Sequence, residues 1–248
     1  MAITHRMQIG VYAFCTGDWR QMDYPLDLWL TWHLRIMDRV ALATYGDVHL
    51  PAGDHARLEV MNIDLNPMHD RYWNFYTEGK TEAQKLLDTE WKILLDIDEF
   101  MYRPAVGTLH PDYAYGLRYH NFYGSLEHEI AGGAIPSMQY RVHRGNRAIL
   151  GDGANVAQPF DTARSFDVWH TNMCRNPSAL AVKWKVQIER EIATGYNLNA
   201  GRLPLLGSAF DYGLYAKAFP GASLHRTNIY TVPDILFENR GRFEWWGK

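Results

Sequence analysis

The segment Trp91-Lys92-Ile93-Leu94-Leu95-Asp96-Ile97-Asp98-Glu99-Phe100 constrains the fold of this chain more than any other. An apolar, β-prone run stops abruptly at three acids, and acidic side chains are seldom buried unless something positive meets them. Such a run suits a strand covered on both faces, as at the centre of a parallel sheet. In open α/β sheets ligands bind beyond the carboxyl ends of these strands, so Asp96 and Asp98 fall where a ligand is expected.

The residues before it supply the rest of such a sheet. Residues 7–14 read as a first strand that runs into a polar loop containing Gly17. Residues 25–40 predict a helix, with Pro25 opening it and Leu26, Leu30, His33, Leu34 and Met37 at helical spacing. A second strand ends at Gly46 and Asp47, and a third ends at Asp64. A helix from about Thr81, capped by that residue and with Glu82 in its first turn, leads into the acids. Strand, helix, strand, strand, helix, strand predicts an α/β sheet that is mostly parallel and flanked by helices.

Beyond Arg103 short alternating runs broken by Gly and Pro predict antiparallel strands and loops. A further helix is expected over 178–195, with Asn176 or Ser178 as cap, Pro177 in the first turn and Gly195 at the end. With no repeat and no low-complexity linker, residues 1–248 are expected to form one domain. Its first half would span 1–105, and a smaller antiparallel and irregular half 106–248.

Composition removes several classes of function. The 25 Lys and Arg against 28 Asp and Glu leave a net charge of −3 with no long run of either sign, so no broad nucleic-acid surface is indicated. Local basic loops occur at 143–147 and 239–242. Cys15 and Cys174 alone build neither a disulfide framework nor a Cys-rich zinc site, which suits a cytoplasmic protein. No run approaches the ~18 to 20 apolar residues of a membrane span.

Two carboxylates at i and i+2 of a strand lie about 6 to 7 Å apart on one side. At roughly 5 Å they repel by about 3 kcal/mol at an effective dielectric of ~20. A divalent cation reverses that penalty, and Mg²⁺ or Mn²⁺ combines such oxygens with phosphate and water.

The segment Lys-Thr-Glu-Ala-Gln-Lys-Leu-Leu-Asp-Thr-Glu-Trp-Lys-Ile-Leu-Leu-Asp-Ile-Asp-Glu-Phe-Met-Tyr, 80–102, resembles the core of GT-A fold glycosyltransferases of the family-two-like group, where a helix runs into a strand ending in DxDE(F). Residues 167–185 are similar to that group's downstream His, Arg-Asn-Pro turn and Lys-bearing helix. The resemblance implies a GT-A-like, Rossmann-like sheet and an enzyme that moves a sugar from a UDP-, GDP- or dTDP-sugar to a hydroxyl. It implies Mn²⁺ or Mg²⁺ held by Asp96, Asp98 and His170, with Asp96 also toward the ribose or donor sugar. Arg175 and Lys183 would meet phosphate, and Thr16, Asp18, Asp47, Asp64 and Lys80 would shape the nucleotide pocket. An inverting transfer also needs a carboxylate base, for which Asp152, Asp211 and Glu99 are the candidates. No ED or QxxRW signature follows the motif. The acceptor is open among a glycan, a small molecule, a protein and a modified DNA base. Two alternatives are a haloacid-dehalogenase-like Mg²⁺-dependent phosphatase or phosphotransferase, and a non-catalytic carbohydrate-binding protein.

Overall fold

Four parallel strands form the centre of the sheet: β1 (Ile9–Thr16), β2 (Arg39–Tyr45), β3 (Leu58–Asn62) and β4 (Trp91–Leu94). They run in the order β3-β2-β1-β4 in a computed structural model of the chain. The structure describes residues 7–17, 19–53, 55–65, 72–132, 137–150, 154–195, 207, 209–211 and 221–245. In β1, Ile9, Val11, Ala13 and Cys15 pack into one core, and Tyr12 and Phe14 into another. This alternation is the pleat of a strand buried on both sides. Helix α1 (Leu26–Ile36) covers the first face with Leu26, Trp29, Leu30 and Trp32, and α2 (Tyr72–Leu86) covers the second with Phe75 and Ala83.

The chain is thus an α/β protein with helices on both faces of a parallel centre, as expected. Two helix boundaries differ from expectation. Helix α1 ends at Ile36 and not near Val40, because Arg39 and Val40 already pair with β1 as the start of β2. Asp38 secures that exit by accepting from the Ile9 amide at 2.8 Å and from Arg103 at 2.6 Å. Helix α2 begins at Tyr72, well ahead of Thr81, because the aromatic run there supplies its buried face. The Phe75 ring meets Phe14 and Tyr45 edge-on, each at 5.2 Å. Thr81 is therefore no cap; its hydroxyl donates to the Thr77 carbonyl at 2.7 Å inside the helix.

Past β4 the sheet turns mixed. Strand β5 (Glu99–Phe100) is a two-residue piece, followed by β6 (Ala114–Tyr123), β7 (His128–Gly132) and β8 (Met138–Arg144). Strand β8 lies antiparallel between β4 and β6, and β7 continues the sheet outward from β6. A small ladder of β9 (Ile149–Leu150) and β10 (Asn155–Val156) stands apart. The long β11 (Phe160–Met173) runs parallel to β6 and bonds β5 through Trp169↔Phe100 and His170↔Glu99. Helix α3 (Pro177–Ala193) follows, then β12 (Ala222–Arg226) beside β7 and the short α4 (Asp234–Glu238). Asn176 caps α3 by accepting from the Ser178 amide at 2.9 Å, and Gly195 leaves the helix at φ +73°, both as the sequence predicts.

Two tests follow from this packing. An added Cβ at Gly79 would lie 2.5 Å from the Phe14 ring. Gly79→Ala should therefore lose about 1–3 kcal/mol to overpacking in urea denaturation, more than the ~1 kcal/mol that helix propensity returns. On the outer face of β6, His120 holds Glu129 at 3.0 Å through Nδ1 and Asp167 at 3.2 Å through Nε2, and stacks on Trp169. The hydrogen bond that the ring donates to Glu129, offset in part by burial and reinforced by the charges of Glu129 and Asp167, raises its pKa above 6.5. The stabilisation is complete below pH 6.5 and is lost as pH rises through the folded-state value. Unfolding free energy measured at stepped pH should fall over that window in the wild type, and the fall should be absent in His120→Gln.

Candidate active site

Strand β4 ends at Leu94, and the Leu95 amide still reaches the Tyr12 carbonyl at 3.1 Å. The chain then turns over Asp96 to Glu99, with the Glu99 amide donating to the Asp96 carbonyl at 3.0 Å. The Glu99 side chain closes the same turn by accepting from the Asp96 amide at 2.8 Å. The two aspartates are therefore presented by a turn and not by the pleat of a strand, and they meet different partners.

Asp98 is buried, and its Oδ2 is paired with Arg175, itself 1 % exposed. Lys183 stands 4.0 Å from the same oxygen, and His170 Nε2 lies 3.7 Å from Oδ1. The Asp98 carbonyl accepts from both the amide and the hydroxyl of Thr171, at 2.9 and 3.0 Å. Arg175 in turn lies 3.5 Å over the Tyr24 ring and donates to the Met22 carbonyl. Asp96, about a third exposed, faces Lys80 at 2.7 Å and Arg141 at 3.4 Å. Glu99 is 1 % exposed and takes Arg141 at 2.8 Å and the Tyr119 hydroxyl at 3.0 Å.

Burial acts on every one of these groups, and the neighbours decide the outcome. Burial pushes the Asp96 carboxyl up, but Lys80 and Arg141 outweigh it and hold the pKa at about 2. Asp98 behaves likewise: Arg175 and His170 overcome burial and hold it well below the usual carboxylate range. Glu99 goes the other way, because burial together with the charges of Asp96 and Asp98 exceeds the pull of Arg141. For Lys183, burial and the nearby Arg175 bring the ammonium down to about 7, against the pull of Asp98.

Asp96, Asp98 and Lys183 border a cleft of about 320 Å³ between the carboxyl ends of β1 and β4 and the helices α2 and α3. Asp96, Asp98 and His170 form its floor, Arg141 stands on one side, and Lys80 of α2 and Lys183 of α3 on the others. Thr16 lines it from the end of β1, where the sequence put it. Lys80 also reaches it, from mid-helix and not from a helix start. Arg175 sits behind Asp98 and is no cleft-wall residue. Asp47 and Asp64 are exposed outside the wall, Asp47 beside His49 at 3.4 Å. Asp211 is exposed next to Phe210, whose amide reaches the Pro177 carbonyl at 2.9 Å. Glu99 lies beneath the wall as the clasp of the turn, with both oxygens engaged, which does not suit a base. Asp18 and Asp152 lie outside the described residues.

Sequence reasoning missed Arg141, Tyr119, Asn121, Tyr76 and Arg190. Arg190 carried a signal: Lys183, Gln187 and Arg190 recur at i, i+4 and i+7, one face of a helix. Arg141 carried none, since its partners are distant in sequence. The basic loop at 143–147 is largely consumed by the core: His143 is buried against the Tyr12 hydroxyl at 2.9 Å, Asn146 meets Lys92, and Arg144 pairs with Glu90. In the loop at 239–242, Arg242 binds Asp27 at 2.8 Å.

Two of the three residues expected to hold a metal, Asp98 and His170, stand together. His170 Nδ1 lies 2.9 Å from the Asn121 carbonyl oxygen, which draws the ring proton to that side. Nε2 then faces Asp98 Oδ1 at 3.7 Å. With the ring neutral, Nε2 and Oδ1 would offer Mn²⁺ or Mg²⁺ two of its donors. Asp96 does not join them, and among the described residues no three His, Cys, Asp or Glu side chains gather as an ion site.

No protein-family model matches the chain, and no curated protein matches it in sequence. Among solved structures, the chain is similar to S. aureus TarS 1-349, at 9% identity and a TM-score of 0.34, over 75% of this chain and 66% of that one. S. aureus TarS 1-349 in complex with UDP gives 8%, 0.38, 80% and 75%. The chain thus spans just under two thirds of the first of these. At such levels function has to be argued from this chain's own residues.

The Glu99 clasp can be tested directly. Glu99→Ala leaves the buried Arg141 guanidinium with the more distant Asp96 as its counter-charge and the Ala154 carbonyl as an acceptor, and should cost about 3–5 kcal/mol in denaturant unfolding. Glu99→Gln retains an acceptor for the Asp96 amide and should cost less.

Proposed function

We propose that the chain is a glycosyltransferase that moves a sugar from a nucleotide-diphosphate-sugar to a hydroxyl acceptor. The observation that carries this reading is the meeting of Asp98 with His170 Nε2 at the carboxyl end of a central parallel strand, in a cleft also bordered by Lys80, Arg141 and Lys183. Lone-pair donors for a cation and ammonium or guanidinium groups for an anion stand together there, which is what a metal-bound diphosphate requires.

Asp98 and His170 would hold Mn²⁺ or Mg²⁺, which when bound supplies Lewis-acid stabilisation of the charge on the departing nucleoside diphosphate. The protein groups act alongside. Arg175 fixes the Asp98 carboxylate from behind, leaving Oδ1 toward the cleft. Lys183 and Arg141 donate to phosphate oxygens, and Lys80 orients Asp96 toward the ribose or donor sugar. Thr16 at the end of β1 borders the nucleoside side. The acceptor proton goes to a carboxylate in an inverting transfer, and Asp211 and Asp152 are the residues to test for that role.

Thermal-shift measurements with UDP-, GDP- and dTDP-sugars, with and without Mn²⁺, test the reading. Ligand at ~100 Kd should add about 2.7 kcal/mol of stability, a plain rise in Tm, only when metal is present. His170→Ala should abolish the metal dependence while leaving the unliganded Tm nearly unchanged. If no nucleotide stabilises the wild type in a metal-dependent way, the proposal fails.

A further inference from the structure

The cations around the cleft are not equivalent. Lys80 and Arg141 are paired with Asp96, and Arg175 and Lys183 attend Asp98. Arg190 has no carboxylate partner among the described residues. It reaches only the Tyr76 hydroxyl, at 3.3 Å, and lies 5.7 Å over the Phe75 ring. It lines the cleft all the same.

Its position is informative. Lys183 and Arg190 occupy one face of α3, seven residues and so about 10.5 Å of helix rise apart. The Lys183 end is the metal and phosphate end. The Arg190 end faces Tyr76 of α2, whose ring packs on Phe14 at 6.1 Å, and Phe14 lies near the carboxyl end of β1, two residues before Thr16. A nucleoside diphosphate anchored at Asp98 and Lys183, with its nucleoside over the end of β1, brings its base to Tyr76 and Arg190.

We propose that Arg190, held by the Tyr76 hydroxyl, selects the nucleobase of the donor by donating to the keto oxygen at position 4 of a pyrimidine or position 6 of a purine. This rests on the transferase reading above. Guanidinium has five N–H donors and no acceptor, so it rewards a base edge carrying acceptors and penalises one carrying an amino group. Uracil and thymine offer a keto oxygen at position 4, and guanine offers O6 with N7. Cytosine and adenine present an exocyclic amine at the corresponding place. The Tyr76 ring gives any base a flat apolar face and so contributes affinity without selecting. Selection falls to Arg190, and the donor class is narrowed to uridine, thymidine or guanosine diphosphate sugars.

The test is calorimetric titration of UDP, GDP, CDP and ADP in the presence of Mn²⁺ against wild type, Arg190→Ala and Arg190→Lys. The wild type should bind UDP, GDP or both about tenfold or more tightly than CDP and ADP, a discrimination of the size a well-placed Arg confers. Arg190→Ala should erase that difference by weakening the keto-base nucleotides alone, and Arg190→Lys, which keeps the charge without the planar fork, should retain only part of it. Equal wild-type binding of all four nucleotides overturns the base assignment and leaves the transferase reading standing. So does a loss in Arg190→Ala that is the same for all four, since that marks a phosphate, ribose or scaffolding contact. Failure of all four to bind the wild type overturns both readings together.

Discussion

The buried pair of Asp98 and Arg175 is the contact on which the rest of the site depends. Each residue is almost wholly removed from water, and a charge in that position without its partner is far too costly to keep. Their pairing fixes three segments to one another: the turn after β4, the junction of β11 with α3, and the loop after β1 that supplies Met22 and Tyr24. Thr171 tightens the same junction by donating twice to the Asp98 carbonyl. Strand β11 thereby delivers His170 to the cleft with little freedom, and α3 starts at a defined angle with Lys183 facing the floor. The pair consumes one oxygen of the carboxylate and leaves the other facing His170.

Charge is balanced locally before any ligand arrives. Asp96, Asp98 and Glu99 are met by Lys80, Arg141 and Arg175, and the Lys183 ammonium, brought down to about 7, is the fourth cation at the margin. A diphosphate entering alone would find few uncommitted cations, and a metal entering alone would face the guanidinium behind Asp98. On the proposed reading, the two entering together would nearly neutralise each other, which would make metal and nucleotide each the other's best partner in this cleft. On that reading the arrangement would favour binding of the complex over either component.

What was legible in the sequence was local. The apolar alternation of β1, the run of β4 into acids and the Asn176-Pro177 start of α3 depend on neighbours within a few residues, and the chain states those in order. The start of α2 was hidden because the residues around Phe75 and Tyr76 look like an irregular aromatic loop until Phe14 and Tyr45 provide a surface for them. Arg141 was hidden for a stronger reason. It reaches Glu99 only because β8 inserts antiparallel between β4 and β6, and no periodicity within 138–144 reports that pairing. Asp47 and Asp64 were placed at strand ends correctly, but β2 and β3 end away from the cleft wall, so position along a strand did not translate into position in a site.

The third acid is what separates the other two. Had the strand continued, Asp96 and Asp98 would have shared one side of the pleat and, with it, one ligand. Glu99 prevents this by bonding the Asp96 carbonyl through its own amide and the Asp96 amide through its carboxylate, which folds the segment into a turn. Asp96 is then aimed at Lys80 on α2 and Asp98 at Arg175 and His170 near α3, on opposite borders of the cleft. Burial of Glu99 beneath the wall is therefore a requirement of the geometry: exposed, it would compete for the same cations, whereas buried on Arg141 and Tyr119 it orders one of them and leaves both aspartates lining the cleft. A pair of carboxylates acquires two different tasks because a third one holds the backbone between them.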